Sequence, residues 1–487
     1  MSPGLIFSCV MAYSALLFFI TWLTSRKADN QSFFIGNKSS RWYVVAYGMI
    51  GASLSGVTFM SVPGWVGSTQ FSYMMVVFGY LVGYVLIATI LMPMYYRLNL
   101  TSIYTYLEQR FGFWSYKTGA FFFIVSRTIG ASFRMFLVVN VLQTFVFDQW
   151  GISFWITVSG FIILVLLYTY EGGIKTIVWT DTLQTTFMLL SLIITLSIIT
   201  SEMNMSLSDL FVSIKNSNYS QIVFTDWHDK RFFLKQFLSG IFICIVMTGL
   251  DQEMMQKNLS CKNLKEAQKN MFSFSVVLVL VNFIFLMLGL ALYLFVQAKG
   301  MELPKKTDDL FPVIALQYLG PLTGIIFIIG LISAAYPSAD GALTSLTTSV
   351  CVDFIGFNKK TEMDEKRKKS IRHIVHISFA LLLLCVIVVF RIINDQAVIS
   401  KLFTIAGYTY GPLLGLYSYG LFLKRGVKDS LVPFVCILSP VICYVLNRHS
   451  VEWLNGYKFG FELLLVNGLI TFLGLLLIST RSLQKQT

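Results

Sequence analysis

Apolar runs of about 20 residues recur along the chain with short polar connections between them, the length a helix needs to cross a hydrocarbon layer of about 30 Å. The runs fall near residues 5–23, 42–65, 70–96, 118–147, 152–170, 176–200, 233–250, 271–298, 320–351, 371–390, 398–423, 429–447 and 459–479. This pattern predicts an all-α polytopic membrane protein with about 13 transmembrane helices. Two of the runs are unusual. Gly51–Gly64, G-A-S-L-S-G-V-T-F-M-S-V-P-G, gathers glycines and hydroxyls in mid-membrane, and Ser333–Ser349, S-A-A-Y-P-S-A-D-G-A-L-T-S-L-T-T-S, carries an acid, a proline and several hydroxyls. Polar groups in lipid are costly, so such segments point to a site or a pathway.

Composition agrees with this reading. The 487 residues are 56% hydrophobic and only 13% charged. A net charge of +13 would suit nucleic acid, but the cations sit in loops between spans, so no nucleic-acid partner is expected. More lysines and arginines fall in the loops expected to be cytoplasmic than on the other side, which predicts an outside N-terminus and a cytoplasmic C-terminus. The first run has no basic residue before it, whereas Arg26 and Lys27 follow it, so it is expected to be kept as a helix rather than cleaved as a signal peptide. The seven cysteines are scattered without C-x-x-C spacing and read as small core residues. The four histidines fall in loops or at span ends. The largest connectors, 201–231 and the basic 353–370, are too short for a domain, and the basic one reads as a solvated loop beside anionic headgroups. Function is therefore expected among the helices, which favours transport over a receptor or an enzyme.

Few ionisable residues lie deep in the predicted spans: Arg127, Arg134, Asp181 and Asp340. The two arginines, seven residues apart, share nearly one helix face at about 10 Å separation. Internal ion pairs that fix helix register are one reading; a substrate or ion path is the other. Arg127, nearer the cytoplasmic end, suits the structural role, and Arg134 is placed to offer a planar fork to a carboxylate. Gly51–Gly64 reads equally as a helix that unwinds to free carbonyls for a cation or as a small-residue packing face. In the other run Pro337 cannot donate to the Ser333 carbonyl, and Ser338, Gly341, Ser345 and Thr348 share a face. Hydroxyl and carbonyl oxygens suit an alkali cation. Two broken helices are thus expected around an ion site near the midplane.

These residues resemble the sodium:solute symporter family. The resemblance rests on Ser32–Trp42, S-F-F-I-G-N-K-S-S-R-W; on Gly51–Trp65; on Glu171–Gln184, E-G-G-I-K-T-I-V-W-T-D-T-L-Q; on Thr248–Lys257, T-G-L-D-Q-E-M-M-Q-K, with lysine for the usual arginine; and on Ala334–Leu346. It implies a bacterial inner-membrane protein with a LeuT-like fold of two five-helix inverted repeats. The expected division is a first helix and loop over 1–41, repeats over 42–200 and 232–424 joined by a connector at 201–231, and two further helices over 425–487. It implies inward symport of a small solute with Na⁺ by alternating access, by a monomer in the lipid bilayer. The sodium site it implies uses carbonyls of Gly51, Leu54 and Ala334 and the hydroxyl of Ser338, with Pro337 where the family places a second hydroxyl. Asp181, Asp340 and Gly341 would belong to a second ion site or the release path. Ser55, Thr58 and Arg134 would touch substrate, together with Gln70, Phe71 and Phe78. Arg134 resembles the arginine with which sialic-acid-transporting members hold a carboxylate, which leans the expectation toward an anionic substrate, with a sugar as another candidate. An H⁺-coupled symporter of the same fold is the alternative. A membrane-embedded transferase or a solute sensor lacks a matching catalytic cluster or signalling domain.

Overall fold

A computed structural model describes residues 2–25, 40–169, 173–357, 359, 363–393 and 398–480. Most of the Ser32–Trp42 run, the start of the Glu171–Gln184 run, Arg26, Lys27 and part of the basic connector lie outside the described residues. The chain is a bundle of helices: α1 (Pro3–Ser25), α2 (Trp42–Ser53), α3 (Gly56–Thr69), α4 (Tyr73–Leu86, running on through a π turn to Arg97), α5 (Phe113–Leu142), α6 (Phe154–Thr169), α7 (Gly173–Glu202), α8 (Phe233–Cys244), α9 (Gln252–Leu259), α10 (Leu264–Ala298), α11 (Gly320–Ser349), α12 (Glu365–Ile393), α13 (Val398–Phe422), α14 (Val432–Trp453) and α15 (Leu463–Leu477). Among the described residues, eight helices are long and apolar enough to cross a membrane, and two bent pairs, α2 with α3 and the Phe233–Gly249 segment with α9, pass the same test as broken spans. A two-residue antiparallel pairing of Gly426–Val427 with Ser479–Thr480 ties the ends of α13 and α15.

The α2–α3 break follows from local chemistry. Glycine and serine are weak helix formers, and after Gly51-Ala52-Ser53 the backbone leaves helical space at Leu54 (φ −86°, ψ 69°) and is extended at Ser55 (φ −71°, ψ 179°). The pair bends by 53°. The second break was expected within Ser333–Ser349 and lies elsewhere. There α11 is one helix through Pro337, because it is enclosed by α2, α3, α5, α7 and α12 and neighbours can re-satisfy the bond a proline removes. The chain breaks instead at Leu250, with a 65° bend. Asp251 caps α9 there, accepting from the Glu253 and Met254 amides at 3.0 and 3.3 Å. A side-chain cap of this kind is worth about 1 kcal/mol.

The two broken helices sit in one core. α4 and α8 approach so closely that a Cβ at Gly79 would lie 2.2 Å from the Phe237 carbonyl oxygen, and one at Gly240 2.1 Å from that of Val76. Small residues allow this where no hydrophobic force drives helices together. α11 lies at the centre, buried along Ile328 and Gly330–Ser349. α1 is zipped to it: Ser333 donates to the Tyr13 hydroxyl at 2.8 Å, and Tyr336 stacks between Tyr13 and Phe161. His376, which the sequence reading left near a span end, is buried and joins Thr169 of α6 to Thr347 of α11 at 3.0 and 2.9 Å. Outside the spans, Asp308 lies under α3 and accepts from the Val398 amide at the start of α13 at 2.9 Å. Burial pushes its carboxyl up to about 6.

Candidate functional site

A cavity of about 90 Å³ opens beside the α2–α3 break. Its wall combines Ser53, Leu54, Ser55 and Thr58 from the break, Tyr73, Tyr80 and Tyr84 from α4, Arg127 and Arg134 from α5, Thr248 from the second break, Asn282 from α10, and Phe403 from α13. The two arginines differ in one respect. Arg127 pairs with Glu253 and lies 3.9 Å from Asp251, which also accepts from the Tyr410 hydroxyl at 2.7 Å. Arg134 is 8% exposed and has no ion pair among the described residues, and its Nε is buried without a hydrogen bond. An unpaired buried cation is expensive unless something binds it.

Aromatic rings close one end of the cavity. Tyr73 lies 6.4 Å from Phe403 between centroids, Phe403 lies 4.9 Å from Phe461, and Trp65 lies 6.0 Å from both Tyr73 and Phe461. Beyond them is a polar vestibule of about 840 Å³, lined in part by Trp65, Tyr73, Asp226, Arg231, Lys458 and Phe461. Tyr73 faces both spaces.

Donors for a cation meet where α11 passes the break. The last carbonyls of α2 have no following helical turn to bond; Leu54 donates back to Ile50, and the Gly51 amide donates to Thr185 Oγ1 of α7 at 3.0 Å. In α11 most hydroxyls are committed: Ser333 to Tyr13, Ser345, Thr347 and Thr348 to carbonyls one turn back, Ser349 to Asp353. The Ser338 and Thr344 hydroxyl oxygens are fully buried with no hydrogen bond. Hard oxygen donors without other partners fit an alkali cation.

The charged centre is larger than the four residues legible in the sequence. α9 adds Asp251, Glu253 and Lys257, all buried, so the Thr248–Lys257 run is an internal helix and Lys257 is no loop cation. Lys257 Nζ lies 2.8 Å from Asp181 Oδ2 and 3.6 Å from Glu253 Oε1. A helix of only eight residues that mixes acids with bases shows no long apolar stripe, and only the N-cap aspartate and the run's order along the chain mark it. Gly51, Leu54, Ala334, Ser338, Asp181, Asp340 and Gly341 are all buried; of these, Asp181 pairs with Lys257 and Gly341 faces Glu253. Ser55, Thr58 and Arg134 line the cavity. Gln70, Phe71 and Phe78 do not: Gln70 is the C-cap of α3 at φ 55°, Phe71 packs on Phe283, and Phe78 is exposed. Tyr80, Tyr84 and Asn282 are lining residues that no motif in the sequence announced, and Thr248 opens the Thr248–Lys257 run without having been assigned to the site.

Residues 33–429 match the model of the sodium:solute symporter family. The chain is 25% identical over 453 residues to the sodium-coupled monocarboxylate transporter 1 of Mus musculus, covering 90% of this chain and 68% of the relative. It is 21% identical over 452 residues to the sodium/sialic acid symporter of Proteus mirabilis (strain HI4320), covering 92% and 90%. A solved structure of a Na⁺-coupled sialic acid symporter in a substrate-bound outward-open state superposes with a TM-score of 0.84 at 18% identity, covering 98% of this chain and 99% of that one. The fold is therefore that of a transporter, as the broken helices and buried polar core already indicate, and the chain belongs to the sodium:solute symporter family.

Proposed function

We propose that the protein is a symporter that couples entry of a small organic carboxylate to Na⁺ and works by alternating access in a bacterial inner membrane. Arg134 carries the reading: a buried guanidinium with no ion pair among the described residues, in a cavity between both broken helices, calls for an anion. The two relatives named above are described as transporting a monocarboxylate and sialic acid, which share a carboxylate. The cavity of about 90 Å³ is large enough to hold water, and Arg134 on its wall offers a carboxylate an anchor there. Ser55, Thr58 and Asn282 would orient the rest of it. Na⁺ would lie at carbonyls of Gly51, Leu54 and Ala334 with Ser338 Oγ. The thirteen spans expected from the sequence, with repeats at 42–200 and 232–424 and a cytoplasmic C-terminus, complete the reading.

A melting screen of short carboxylates with and without Na⁺ tests it, since a ligand bound to the native state raises the melting temperature by linkage. A carboxylate whose shift requires Na⁺ is expected. Its uptake into proteoliposomes should then follow an inward Na⁺ gradient. Ser338→Ala should raise the Na⁺ concentration for half-maximal uptake by about tenfold, the equivalent of one lost oxygen ligand at roughly 1.4 kcal/mol. Equal uptake in K⁺ and Na⁺ media would sink the assignment.

Alternating access requires a barrier on each side of the site, and the Trp65–Tyr73–Phe403–Phe461 cluster is the outer one in this reading. Cys244 lines the cavity behind it and reports on access. Removing the Phe403 ring as Phe403→Ala should speed modification of Cys244 by a membrane-impermeant thiol reagent by at least about tenfold, as expected for a gate that limits entry. Mass spectrometry of the Cys244 peptide against time measures it, and an unchanged rate would mean the ring is packing only.

A further inference from the structure

The Lys257 ammonium lies between two carboxylates that could themselves hold a cation. It is 2.8 Å from Asp181 Oδ2 of α7 and 3.6 Å from Glu253 Oε1, one turn back on α9, and all three side chains are at most 1% exposed. Each carboxylate keeps one oxygen, Asp181 Oδ1 and Glu253 Oε1, buried without a hydrogen bond. Glycine at 341 leaves room for the Glu253 carboxylate, since a Cβ there would lie 2.3 Å from Glu253 Oε1. Asp340 is buried beside Gly341 on α11. Acid oxygens of Asp181 and Glu253 thus converge where α7 and α9 meet beside α11, donors of the hard kind that alkali cations take. The positive charge there is already supplied by the chain.

We propose that the Lys257 ammonium is a tethered cation standing where a second Na⁺ would otherwise bind. The chain then binds one Na⁺, at the α2–α3 break and Ser338, and Asp181 serves as the counter-ion of Lys257 rather than as a sodium ligand. This rests on the Na⁺-coupled reading above. A Na⁺ entering between Asp181 and Glu253 would have to displace the ammonium and leave it buried and unpaired beside a second cation, and like charges in a low-dielectric core oppose that. A tethered cation cannot be carried across and released, so it contributes charge balance but no coupling.

The test uses Na⁺ alone. Saturation binding of radioactive Na⁺ to the purified full-length protein in nanodiscs should give one ion per chain. Lys257→Met removes the ammonium at similar volume and should give two. Asp181→Asn should retain one ion with affinity within about twofold of the parent, and it guards against a Lys257→Met protein that does not fold. Two ions in the parent protein, one in folded Lys257→Met, or loss of the single ion in Asp181→Asn would each overturn the proposal. Absence of Na⁺ binding to the parent would instead remove the Na⁺-coupled reading on which it stands.

Discussion

An Arg134→Gln transporter is expected to lose transport without losing its fold. Glutamine keeps a donor at the cavity wall but removes the charge and the fork that match a carboxylate. Truncating one partner of a buried, hydrogen-bonded charge pair costs about 2–5 kcal/mol, so the apparent affinity for the carboxylate should fall by roughly a hundredfold or more. Stability should move the other way. Arg134 is buried with no ion pair among the described residues, and replacing it with a neutral side chain relieves an uncompensated charge. The melting temperature without substrate should therefore equal or exceed that of the parent, while the substrate-dependent shift disappears. A variant that transports normally, or that unfolds, would show that Arg134 is a structural cation.

Arg127→Gln should do the reverse. Its guanidinium pairs with Glu253 and neighbours Asp251, both 0% exposed, and Tyr410 holds Asp251 from α13. Removing the cation leaves Asp251 without an ion pair among the described residues and Glu253 with only Lys257, 3.6 Å away, and breaking a buried pair in this way costs about 3–5 kcal/mol. A large drop in melting temperature is expected even without ligand. The double variant Arg127→Gln with Glu253→Gln should recover much of the loss, because it removes the orphaned charge along with its partner. If the two losses simply add, the pair contributes little and the network is not what joins α5 to α9.

The opposite roles of two arginines on one helix face show how far the sequence could be read. Their spacing placed them together, and the relative depth of Arg127 suggested the structural role. What separates them physically is Glu253, a residue 126 positions away on a helix that carries no hydrophobic period. The same holds for Lys257. As a basic residue after an apolar run it reads as a loop cation, and only the 65° turn at Leu250 folds it back against Asp181. The Ser333–Ser349 run shows the converse. Its polarity marked it correctly as central, but proline and glycine alone suggested a break that the enclosing helices suppress.

The membrane class and eight to ten of the apolar spans were legible in the sequence itself, and the weak helix formers at Gly51–Ser53 made the α2–α3 break one of two readings. Each depends on interactions local to the chain: apolar run length against bilayer thickness, and weak helix formers in a row. Which buried polar atoms are satisfied was decided only by tertiary structure, since that depends on partners far apart in the chain, 126 residues for Arg127 with Glu253 and 76 for Asp181 with Lys257. Ser338 stands out because its neighbours' hydroxyls are all taken except that of Thr344, Arg134 because Arg127 has the acids, and Asp181 because Lys257 reaches it. Burial makes these pairings matter, as a charge or hydroxyl that water would solvate must here find its partner within the protein or in the solute and ion it carries.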